Sequence, residues 1–353
     1  MHLLMLTSSC DPNLKEEGFI SDWILAISEK VDFLTLITIS KPTIKLPDNV
    51  FSYSLVNQSK IGKIWKIGYI FLKTHRQIPI DGVFCNMYDF LGVLSGLFSR
   101  ILNIKSVFWY AGGIKVPFLS LTTVAFWLNN KITTCSQQEK LAYHAMFKTP
   151  SSKIHVIGHG INRKRFSVNK TIKKDKVFRI GYCCRLSLSK NIETFIGAVV
   201  KCINLSEPIE LLIALSKTKH KPDYFNKLKS RTREKNGNIK IKILTDVNYA
   251  NNIQFYQKLD LYVHPSFQTS IDKAAVEAAF SNVSVLLSEN GFGELFDFNA
   301  DIVFNPHDSQ KLGELISKYT KYPKLREVNK QIILSKFNNM DLPFFVEKLI
   351  AVY

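Results

Sequence analysis

Short apolar runs alternate along this chain with longer amphipathic segments, and this alternation restricts the fold more than any other feature of the sequence. The runs of strand length are, in chain order, HLLMLTS, FLTLITI, DGVFCN, SVFWYA, KITTCS and KIHVIG, then FRIGYCC, IELLIAL, IKIKIL, LDLYVHP and VSVLLS. Segments of helical length fall between them, such as Gly18–Lys30, Phe90–Ile101 and Asn191–Cys202. Continuous apolar strands separated by helices are typical of parallel sheets that are covered on both faces. The sequence therefore predicts an α/β protein.

A polar stretch, Arg163 to Lys176, interrupts this alternation, which starts again after it. At 353 residues the chain is long enough for two domains with separate cores. We predict two doubly wound, Rossmann-like domains that face one another across a cleft, over residues 1–165 and 166–353. The helices from about Leu312 onward complete the second domain, and the last of them is a candidate for crossing back to the first. In such sheets, ligands bind beyond the carboxyl ends of the strands.

The charge of the chain points to a partner class. The formal net charge is +18 and the pI is about 9.5, while the hydrophobic content of 46% is that of a folded protein. Such a balance favours nucleic acid, an acidic membrane face or phosphorylated substrates as partners. A solvated basic surface without any partner is the alternative that charge alone leaves open.

Cysteine usage and hydropathy indicate the compartment. The six cysteines include no Cys-x-x-Cys pair, and several lie inside apolar runs, which predicts buried thiols and no disulfide framework or zinc site. The start, MHLLMLTSSC, lacks the basic region of a signal peptide, so we predict that it forms a buried strand instead. The longest apolar run, Val116 to Leu128, is shorter than the ~20 residues that span a bilayer. We expect a cytoplasmic protein, with peripheral attachment to the inner face of a membrane as an option.

A pair of cations follows the first strand of the second domain. In IGYCCRLSLSKN a strand is predicted to end near Cys183 and a helix to begin near Lys190, so Arg185 and Lys190 flank a strand-to-helix loop. A guanidinium and an ammonium beside a helix N-terminus suit the oxygens of a diphosphate. Two surface bases on an ordinary loop are the alternative.

The stretch HPSFQTSIDKAAVEAAF is predicted to contain a loop and a helix capped by Asp272. The backbone N–H groups from about Ser270 to Ala274 can bind phosphate oxygens. Glu277, one turn into the helix, can accept hydrogen bonds from the hydroxyls of a ribose. The alternative for Glu277 is an ordinary acid near the positive end of a helix dipole. Both motifs follow strands of the same domain, which together favours a site for a nucleoside diphosphate.

With these motifs the chain resembles the retaining glycosyltransferases of family 4, which have the GT-B fold. The pair Arg185-x4-Lys190 matches the basic pair of that family, and AVEAAFSNVSVL matches its EAMAxGxPVI segment. The segment KIHVIGHGINRKRF is similar to the interdomain strand and GHGID element of the family. The resemblance spans nearly the whole chain. Within the family, the chain resembles a subgroup with a TGSLDK-type donor loop, and its segment Thr269-Ser270-Ile271-Asp272-Lys273 looks like a variant of that loop. It implies roles in donor binding for these five residues and for His159 and Gly160 of the GHGI segment.

Thr269 stands where most of the family has the first glutamate of a Glu-x7-Glu motif. The resemblance to the subgroup implies that this is an inherited substitution, and the threonine hydroxyl can still bond a sugar hydroxyl. Two further departures fall on the acceptor side. Asn86 and Gly112 replace histidines in segments that resemble the VFVHM and LWYTH segments of the subgroup. The first domain therefore lacks two histidines that would be candidates for catalytic roles.

The function implied is transfer of a sugar, of hexosyltransferase type, from a nucleotide-sugar donor to a glycan or lipid-linked acceptor with retained anomeric configuration. Arg185, Lys190 and Glu277 are the predicted catalytic residues. The sequence contains no Asp-x-Asp motif, so we expect no metal, and no cofactor beyond the donor substrate. The alternative is a non-catalytic GT-B protein that binds nucleotide or glycan as a regulatory or assembly subunit. A nucleic-acid binder is a third interpretation that rests on charge alone, and we expect no nucleic-acid partner.

The segment KIGKIWKIGYIFLKTHR, Lys60 to Arg76, alternates five cations with isoleucines and aromatic residues. A basic helix with an apolar, aromatic face can lie on an anionic membrane. A core-facing helix with solvated lysines is the alternative.

Overall fold

The computed structural model describes residues 1–112, 120–167, 176–202, 208–216, 221–232, 238–245 and 247–353. Its contacts divide the chain into two compact units. Unit 1 comprises Met1–Gly160 together with Met340–Tyr353, and unit 2 comprises Ile161–Asn339. Unit 1 is therefore built from two separate stretches of chain, whereas unit 2 is continuous. The domains predicted at 1–165 and 166–353 stay a prediction about where independently folding parts begin and end.

Unit 1 contains a parallel sheet whose strands are buried apolar runs. In the described part of the chain they are β1 (His2–Thr7), β2 (Phe33–Thr38), β3 (Val50–Ser54), β4 (Gly82–Asn86), β5 (Lys105–Trp109), β6 (Lys131–Thr134) and β7 (Ile154–Val156). Their order across the sheet is β3-β2-β1-β4-β5-β6-β7, with every neighbouring pair parallel. The chain thus winds outward from β1 in one direction and from β4 in the other.

Helices make most of the crossovers between these parallel strands, whereas residues 39–49 join β2 to β3 without one. In unit 1 they are α1 (Phe19–Ser28), α2 (Lys60–Gln77), α3 (Asp89–Ile101), α4 (Leu121–Leu128), α5 (Gln137–Phe147) and α14 (Leu342–Ala351). Three of them begin at serines whose side chains accept a hydrogen bond from the first turn, namely Ser59, Ser120 and Ser136. The predicted segments Gly18–Lys30 and Phe90–Ile101 are confirmed as α1 and α3 to within two residues at either end.

The helix α14 packs into unit 1 beside α1. The ring of Phe345 lies 4.2 Å from that of Trp23, centroid to centroid, and the indole Nε1 of Trp23 donates a hydrogen bond to the carbonyl of Gly160 at 2.8 Å. Gly160 has φ +59°, and a Cβ there would lie 2.6 Å from the Phe345 ring. Only glycine fits this close approach in the left-handed region. The contact ties Met340–Tyr353 to the beginning of the chain.

Unit 2 contains a second parallel sheet. Its described strands are β8 (Phe178–Arg185), β9 (Ile209–Ser216), β10 (Ile239–Leu244), β11 (Leu261–His264), β12 (Ser284–Ser288) and β13 (Val303–Phe304). They lie in the order β10-β9-β8-β11-β12-β13, all parallel. The helices are α6 (Arg163–Phe166), α7 (Ile192–Cys202), α8 (Pro222–Arg231), α9 (Asn252–Tyr256), α10 (Lys273–Phe280), α11 (Glu289–Phe292), α12 (Ser309–Lys321) and α13 (Pro323–Phe337).

The predicted fold class is confirmed, since both units are doubly wound, Rossmann-like α/β structures. All eleven apolar runs proposed as strands contain one. The strands β3 and β13 were not predicted. The first is a partly exposed edge strand, VFSYS, whose serines interrupt the apolar run, and the second is two residues long. Part of the polar stretch Arg163 to Lys176, and part of the run Val116 to Leu128, lie outside the described residues.

Candidate functional site

The connections in unit 2 reverse direction at one position of the sheet, the position at which folds of this kind bind ligands. From β8 the chain proceeds to β9 and β10 on one side, whereas β11 leads to β12 and β13 on the other. The neighbours β8 and β11 therefore form the topological switch point, where the connections leave the sheet in opposite directions. The strands end here at Arg185 and His264. Both motifs singled out in the sequence thus meet at one edge.

The loop after β8 places its two cations differently. Arg185 is the last residue of β8, its side chain is exposed, and its guanidinium has no hydrogen bond or ion pair with the described residues. Lys190 is buried at the end of a 3₁₀ turn, Leu188–Lys190. Asn191 follows with φ +54°, and its side-chain amide donates to the carbonyls of Pro265 at 2.9 Å and Pro306 at 2.7 Å. This left-handed residue separates the 3₁₀ turn from α7, which begins at Ile192, close to the start predicted near Lys190.

Lys190 is part of a buried charged cluster. Its Nζ lies 2.5 Å from Oδ2 of Asp272, and Nε2 of His264 lies 3.3 Å from the same oxygen. Burial alone would raise the pKa of Asp272, but the Lys190 ammonium and His264 outweigh that effect and hold the pKa well below its usual range. Burial lowers the pKa of His264, and the neighbouring Asp272 opposes this effect. The lysine predicted to bind a diphosphate is therefore paired with a carboxylate here.

Asp272 has a second function in the helix that follows. Its Oδ1 accepts a hydrogen bond from the backbone N–H of Ala274 at 3.1 Å, which makes it the N-cap of α10. This confirms the predicted cap. One carboxylate therefore joins the start of α10 to the loop after β8. The N–H of Ala274, which was predicted to be available to phosphate oxygens, is used by the cap.

The loop after β11 is held in place on two sides. The backbone N–H of Phe267 donates to the carbonyl of Ser189 at 2.9 Å, and the Ser266 hydroxyl donates to the same oxygen at 3.2 Å. On the other side, Asn290 donates to the carbonyl of Phe267 at 3.1 Å. A Cβ at Gly291 would lie 2.8 Å from the Ser270 carbonyl, so only glycine permits this approach of α11 to the loop. The loops after β8 and β11 thus form one connected structure.

The predicted donor loop extends along the start of α10. Thr269 is exposed, Ser270 and Lys273 are half-buried, and Ile271 is buried. The side chain of Ile271 is therefore part of the packing of unit 2, whereas the polar members of the segment Thr269–Lys273 reach the surface. Ligand contacts by these residues stay a prediction.

Glu277 lies one turn into α10 and is only 6% exposed. Its Oε2 accepts two hydrogen bonds, from Nδ2 of Asn252 at 2.9 Å and from the hydroxyl of Tyr256 at 2.8 Å. Burial raises the pKa of Glu277 to about 7, and the hydrogen bond from Tyr256 offsets only part of this effect. The carboxyl group is therefore positioned by α9, with one oxygen engaged and the other without a hydrogen bond from the described residues.

Several residues of this arrangement were not predicted. His264 ends an apolar strand, and a polar residue at that position was the available signal. Asn252 and Tyr256 are four residues apart, which places them on one face of a helix, but no helix was predicted there. Asn191 was predicted only as the start of a helix. His264 contacts Asp272, Asn252 and Tyr256 bond Glu277, and Asn191 fixes the loop next to Lys190.

The remaining predicted residues belong to unit 1. His159 is buried, with Nδ1 3.4 Å from Sγ of Cys135 and its ring 5.8 Å from that of Trp109, edge to face. Gly160 packs against Phe345, as described above. Asn86 ends β4 and is buried, with no partner for Nδ2 among the described residues. The carbonyl of Gly112 accepts a hydrogen bond from Tyr143 at 2.8 Å. These four residues are therefore well packed, and their roles toward ligands stay predictions.

Two general searches concern the described residues only. No three histidine, cysteine, aspartate or glutamate side chains within them converge as metal ligands. None of the helices described above has both the length and the apolar character needed to cross a bilayer. Among the described residues, Cys10, Cys85, Cys135, Cys183 and Cys184 form no disulfide; Cys183 is half-buried and the other four are buried.

Two Rossmann-like units, the second with charged side chains at its switch point, have the architecture of the GT-B fold. Residues 163–333 match the family Glycosyl transferases group 1, and this part of the chain is a domain of that family. No curated protein sequence matches the chain.

Solved structures share the fold over the full length. HepE of Anabaena in complex with UDP is 17% identical, with a TM-score of 0.76, and the match covers 100% of this chain and 99% of HepE. Sucrose-phosphate synthase of Thermosynechococcus elongatus is 14% identical, with a TM-score of 0.74 and coverage of 100% and 98%. A UDP-forming trehalose-phosphate synthase from Burkholderia xenovorans is 12% identical, with a TM-score of 0.75 and coverage of 99% and 98%. At these identities the likeness concerns the fold.

Proposed function

We propose that this protein is a retaining glycosyltransferase of family 4 that transfers a hexose from a nucleoside diphosphate sugar to a glycan or glycolipid. One observation supports this most strongly. Arg185 and Lys190 follow β8, and Glu277 lies in the helix after the neighbouring strand β11, within residues 163–333 that match the glycosyl transferases group 1 family. Structures of HepE with UDP and with UDP-glucose make UDP the first nucleotide to test. The role we infer is in polysaccharide or glycolipid biosynthesis, in the cytoplasm and next to a membrane that presents the acceptor.

The diphosphate would bind between the two cations of the loop after β8. Arg185 is exposed and unpaired in the described structure, so its guanidinium can bind two phosphate oxygens without breaking an existing contact. The ammonium of Lys190 lies 2.5 Å from the Asp272 carboxylate. Lys190 must therefore donate to both Asp272 and the ligand. An ammonium has three donors and can serve both. Asp272 would then hold Lys190 in position for the diphosphate.

Glu277 would bind the ribose of the donor. Its Oε2 is engaged by Asn252 and Tyr256, and this orients the carboxyl group so that Oε1 is the oxygen available to a hydroxyl. The donor loop of the TGSLDK-type subgroup, Thr269 to Lys273, would bind the transferred sugar. The exposed Thr269 hydroxyl is the group we propose to replace the first carboxylate of the Glu-x7-Glu motif. His159 and Gly160 complete the proposed donor contacts.

The reaction we propose breaks the bond between the anomeric carbon and the donor diphosphate. Arg185 and Lys190 stabilise the negative charge that develops on the leaving group, a role that divalent ions have in other transferases. The acceptor hydroxyl attacks on the face from which the diphosphate leaves and passes its proton to a leaving phosphate oxygen. The products are the glycosylated acceptor and the nucleoside diphosphate. Asn86 and Gly112 are the proposed acceptor-side positions.

A non-catalytic GT-B protein that binds nucleotide or glycan is the second candidate. The observation that favours it is the absence of an ionisable group at two positions, Asn86 and Gly112, where the resembled subgroup has histidine. Such a protein would still bind nucleotide through Arg185 and Glu277. Turnover, and not binding, separates the two candidates.

Calorimetric titration with UDP, GDP, ADP and CMP tests the donor site. We expect one nucleotide to bind the wild type and binding to fall at least tenfold in Arg185→Ala and in Glu277→Ala, since each loses a charge-assisted contact. Lys324→Ala removes an exposed cation of the same unit and should leave binding unchanged. Absence of binding to folded wild type would refute the proposal. Binding without release of nucleotide from any of a broad panel of donor sugars and glycan or lipid acceptors would favour the non-catalytic protein.

A further inference from the structure

The helix α2 has apolar side chains on two faces. Ile67, Ile70 and Phe71 are buried against the rest of unit 1. On the other side, the exposed fractions of the large apolar side chains are 68% for Ile61, 37% for Ile64, 76% for Trp65, 63% for Tyr69 and 44% for Leu72. Their spacing of three, four and seven residues places them along one stripe of the helix. Packing within unit 1 accounts for the first face and leaves the second in water.

The neighbouring helix α3 widens this stripe. A Cβ at Gly68 would lie 2.9 Å from the ring of Phe98, so the two helices touch where α2 has no side chain. Beside Phe98, Leu97 and Ile101 are four residues apart on α3 and are both exposed. The set Ile61, Ile64, Trp65, Tyr69, Leu72, Leu97 and Ile101 is called the α2–α3 face below. Exposed apolar surface of this extent is typical of an interaction site.

The charge of α2 has a single sign. The helix contains four lysines and one arginine and no acidic residue. Lys60, Lys73 and Arg76 are exposed, and no acid of the described chain pairs with them. Lys66 is held back by a hydrogen bond from Nζ to the carbonyl of Ser54 at 2.8 Å. The exposed cations can therefore pair with anions that lie outside the molecule.

We propose that the α2–α3 face docks on an anionic lipid bilayer, with Trp65, Tyr69 and the aliphatic side chains inserted at the headgroup boundary and the cations on lipid phosphates. A helix with exposed aliphatic and aromatic side chains and basic flanks fits this surface. A second copy of the chain would place like charges against one another. Nucleic acid would leave the isoleucines and leucines in water. The inference rests on the proposed function only in that a docked membrane would present the lipid-linked acceptor.

Vesicle binding tests docking without any donor or turnover, so that its failure is separate from failure of the proposed function. The full chain is sedimented with vesicles of phosphatidylcholine alone and of phosphatidylcholine mixed with phosphatidylglycerol. We expect binding to the anionic vesicles, a blue shift of tryptophan fluorescence on binding, and loss of both effects in Trp65→Ser. Lys73→Glu and Arg76→Glu should each lower partitioning about fivefold or more, because a cation near an anionic bilayer contributes about a factor of five.

Matched controls lie on α13 of unit 2. Val328→Ser removes an apolar side chain that is 50% exposed, and Lys324→Glu makes the same change in net charge as Lys73→Glu. Both should bind anionic vesicles like the wild type, and circular dichroism should show all variants folded. The proposal would be overturned if the control variants lost as much vesicle binding as the α2 variants, or if Trp65→Ser bound vesicles like the wild type. Equal binding of the wild type to neutral and anionic vesicles would overturn it as well. Self-association abolished by Trp65→Ser without vesicle binding would show a second copy as the occupant, and salt-sensitive binding to RNA that ignores Trp65 would show a nucleic acid.

Discussion

The switch point of unit 1 lies between β1 and β4, and that of unit 2 lies between β8 and β11. In unit 1 the two strands end in neutral polar residues, Thr7 and Asn86, which are buried. Thr7 Oγ1 and Asn86 Nδ2 have no hydrogen-bond partner among the described residues. In unit 2 the corresponding strands end in Arg185 and His264, beside the Lys190–Asp272 pair. Equivalent positions of one fold therefore carry different chemistry.

This difference matches the two substrates of the proposed reaction. A charged crevice suits a nucleoside diphosphate, whereas unpaired hydroxyl and amide groups suit the hydroxyls of a neutral sugar acceptor. The fold supplies the same frame twice, and the side chains at the strand ends decide what each frame can bind. Variants at the two switch points should therefore differ in what they damage.

The largest effect is expected for Lys190→Ala. Removal of one member of a buried ion pair leaves the other charge without compensation and costs about 3 to 5 kcal/mol. The free energy of unfolding, measured with urea, should fall by about 3 kcal/mol, the lower end of that range, because the Asp272 side chain is 19% exposed. Lys318→Ala is the matched control, since Lys318 pairs with Asp301 on the surface at 2.7 Å and should cost at most ~1 kcal/mol.

A second change should restore part of this loss. Asp272→Asn in the Lys190→Ala background removes the uncompensated charge, and asparagine caps a helix as well as aspartate does. Equal losses of unfolding free energy in Lys190→Ala and Lys318→Ala would contradict the interpretation of Lys190 and Asp272 as a buried ion pair. Failure of the double variant to recover stability would contradict it as well.

The next effect concerns pH. Because burial raises the pKa of Glu277 from 4.5 to about 7, the folded protein binds a proton there that the unfolded chain releases. Stability from this group is fully present below pH 4.5 and is lost as the pH rises to about 7, by up to about 3 kcal/mol. Asp272, whose pKa is lowered, has the opposite dependence: its contribution is lost as the pH falls. Glu277→Gln should remove the first dependence and keep the second.

Urea unfolding at several pH values from 4.5 to 7 measures this. The difference in unfolding free energy between wild type and Glu277→Gln should change steadily in favour of the variant as the pH rises. A difference that does not change with pH would mean that burial does not raise the pKa of Glu277.

The smallest effect is expected for Asn86→Ala. Its side-chain amide nitrogen is already without a partner in the described structure, so the change should alter the unfolding free energy by no more than about 1 kcal/mol. Nucleotide affinity should stay as in the wild type, and the KM for an acceptor should rise. A loss of nucleotide affinity in Asn86→Ala would remove the proposed division between the two switch points.

Sequence patterns were sufficient for the fold because its strands are buried and apolar. They failed at β3, where Phe51 is exposed and an edge strand needs no continuous apolar run. In the candidate site, the positions of Arg185 and Glu277 and the cap by Asp272 followed from local signals. The contact between Lys190 and Asp272 did not, because it joins residues 82 apart and depends on β8 and β11 being neighbours. The partners of Glu277 in α9 were missed because no helix was predicted at Asn252–Tyr256.

The packing of Phe345 on Trp23 has a consequence for biosynthesis. On the ribosome the whole of Ile161–Asn339 is made before Met340–Tyr353, yet Met340–Tyr353 belongs to the unit whose other stretch, Met1–Gly160, is made first. Unit 2 therefore has all its chain available while unit 1 still lacks a helix, although domains commonly fold in the order of their synthesis. The indole of Trp23, fully buried in the finished protein, has no Phe345 to pack against until then. Phe345 can therefore cover Trp23 only after the second unit has been translated.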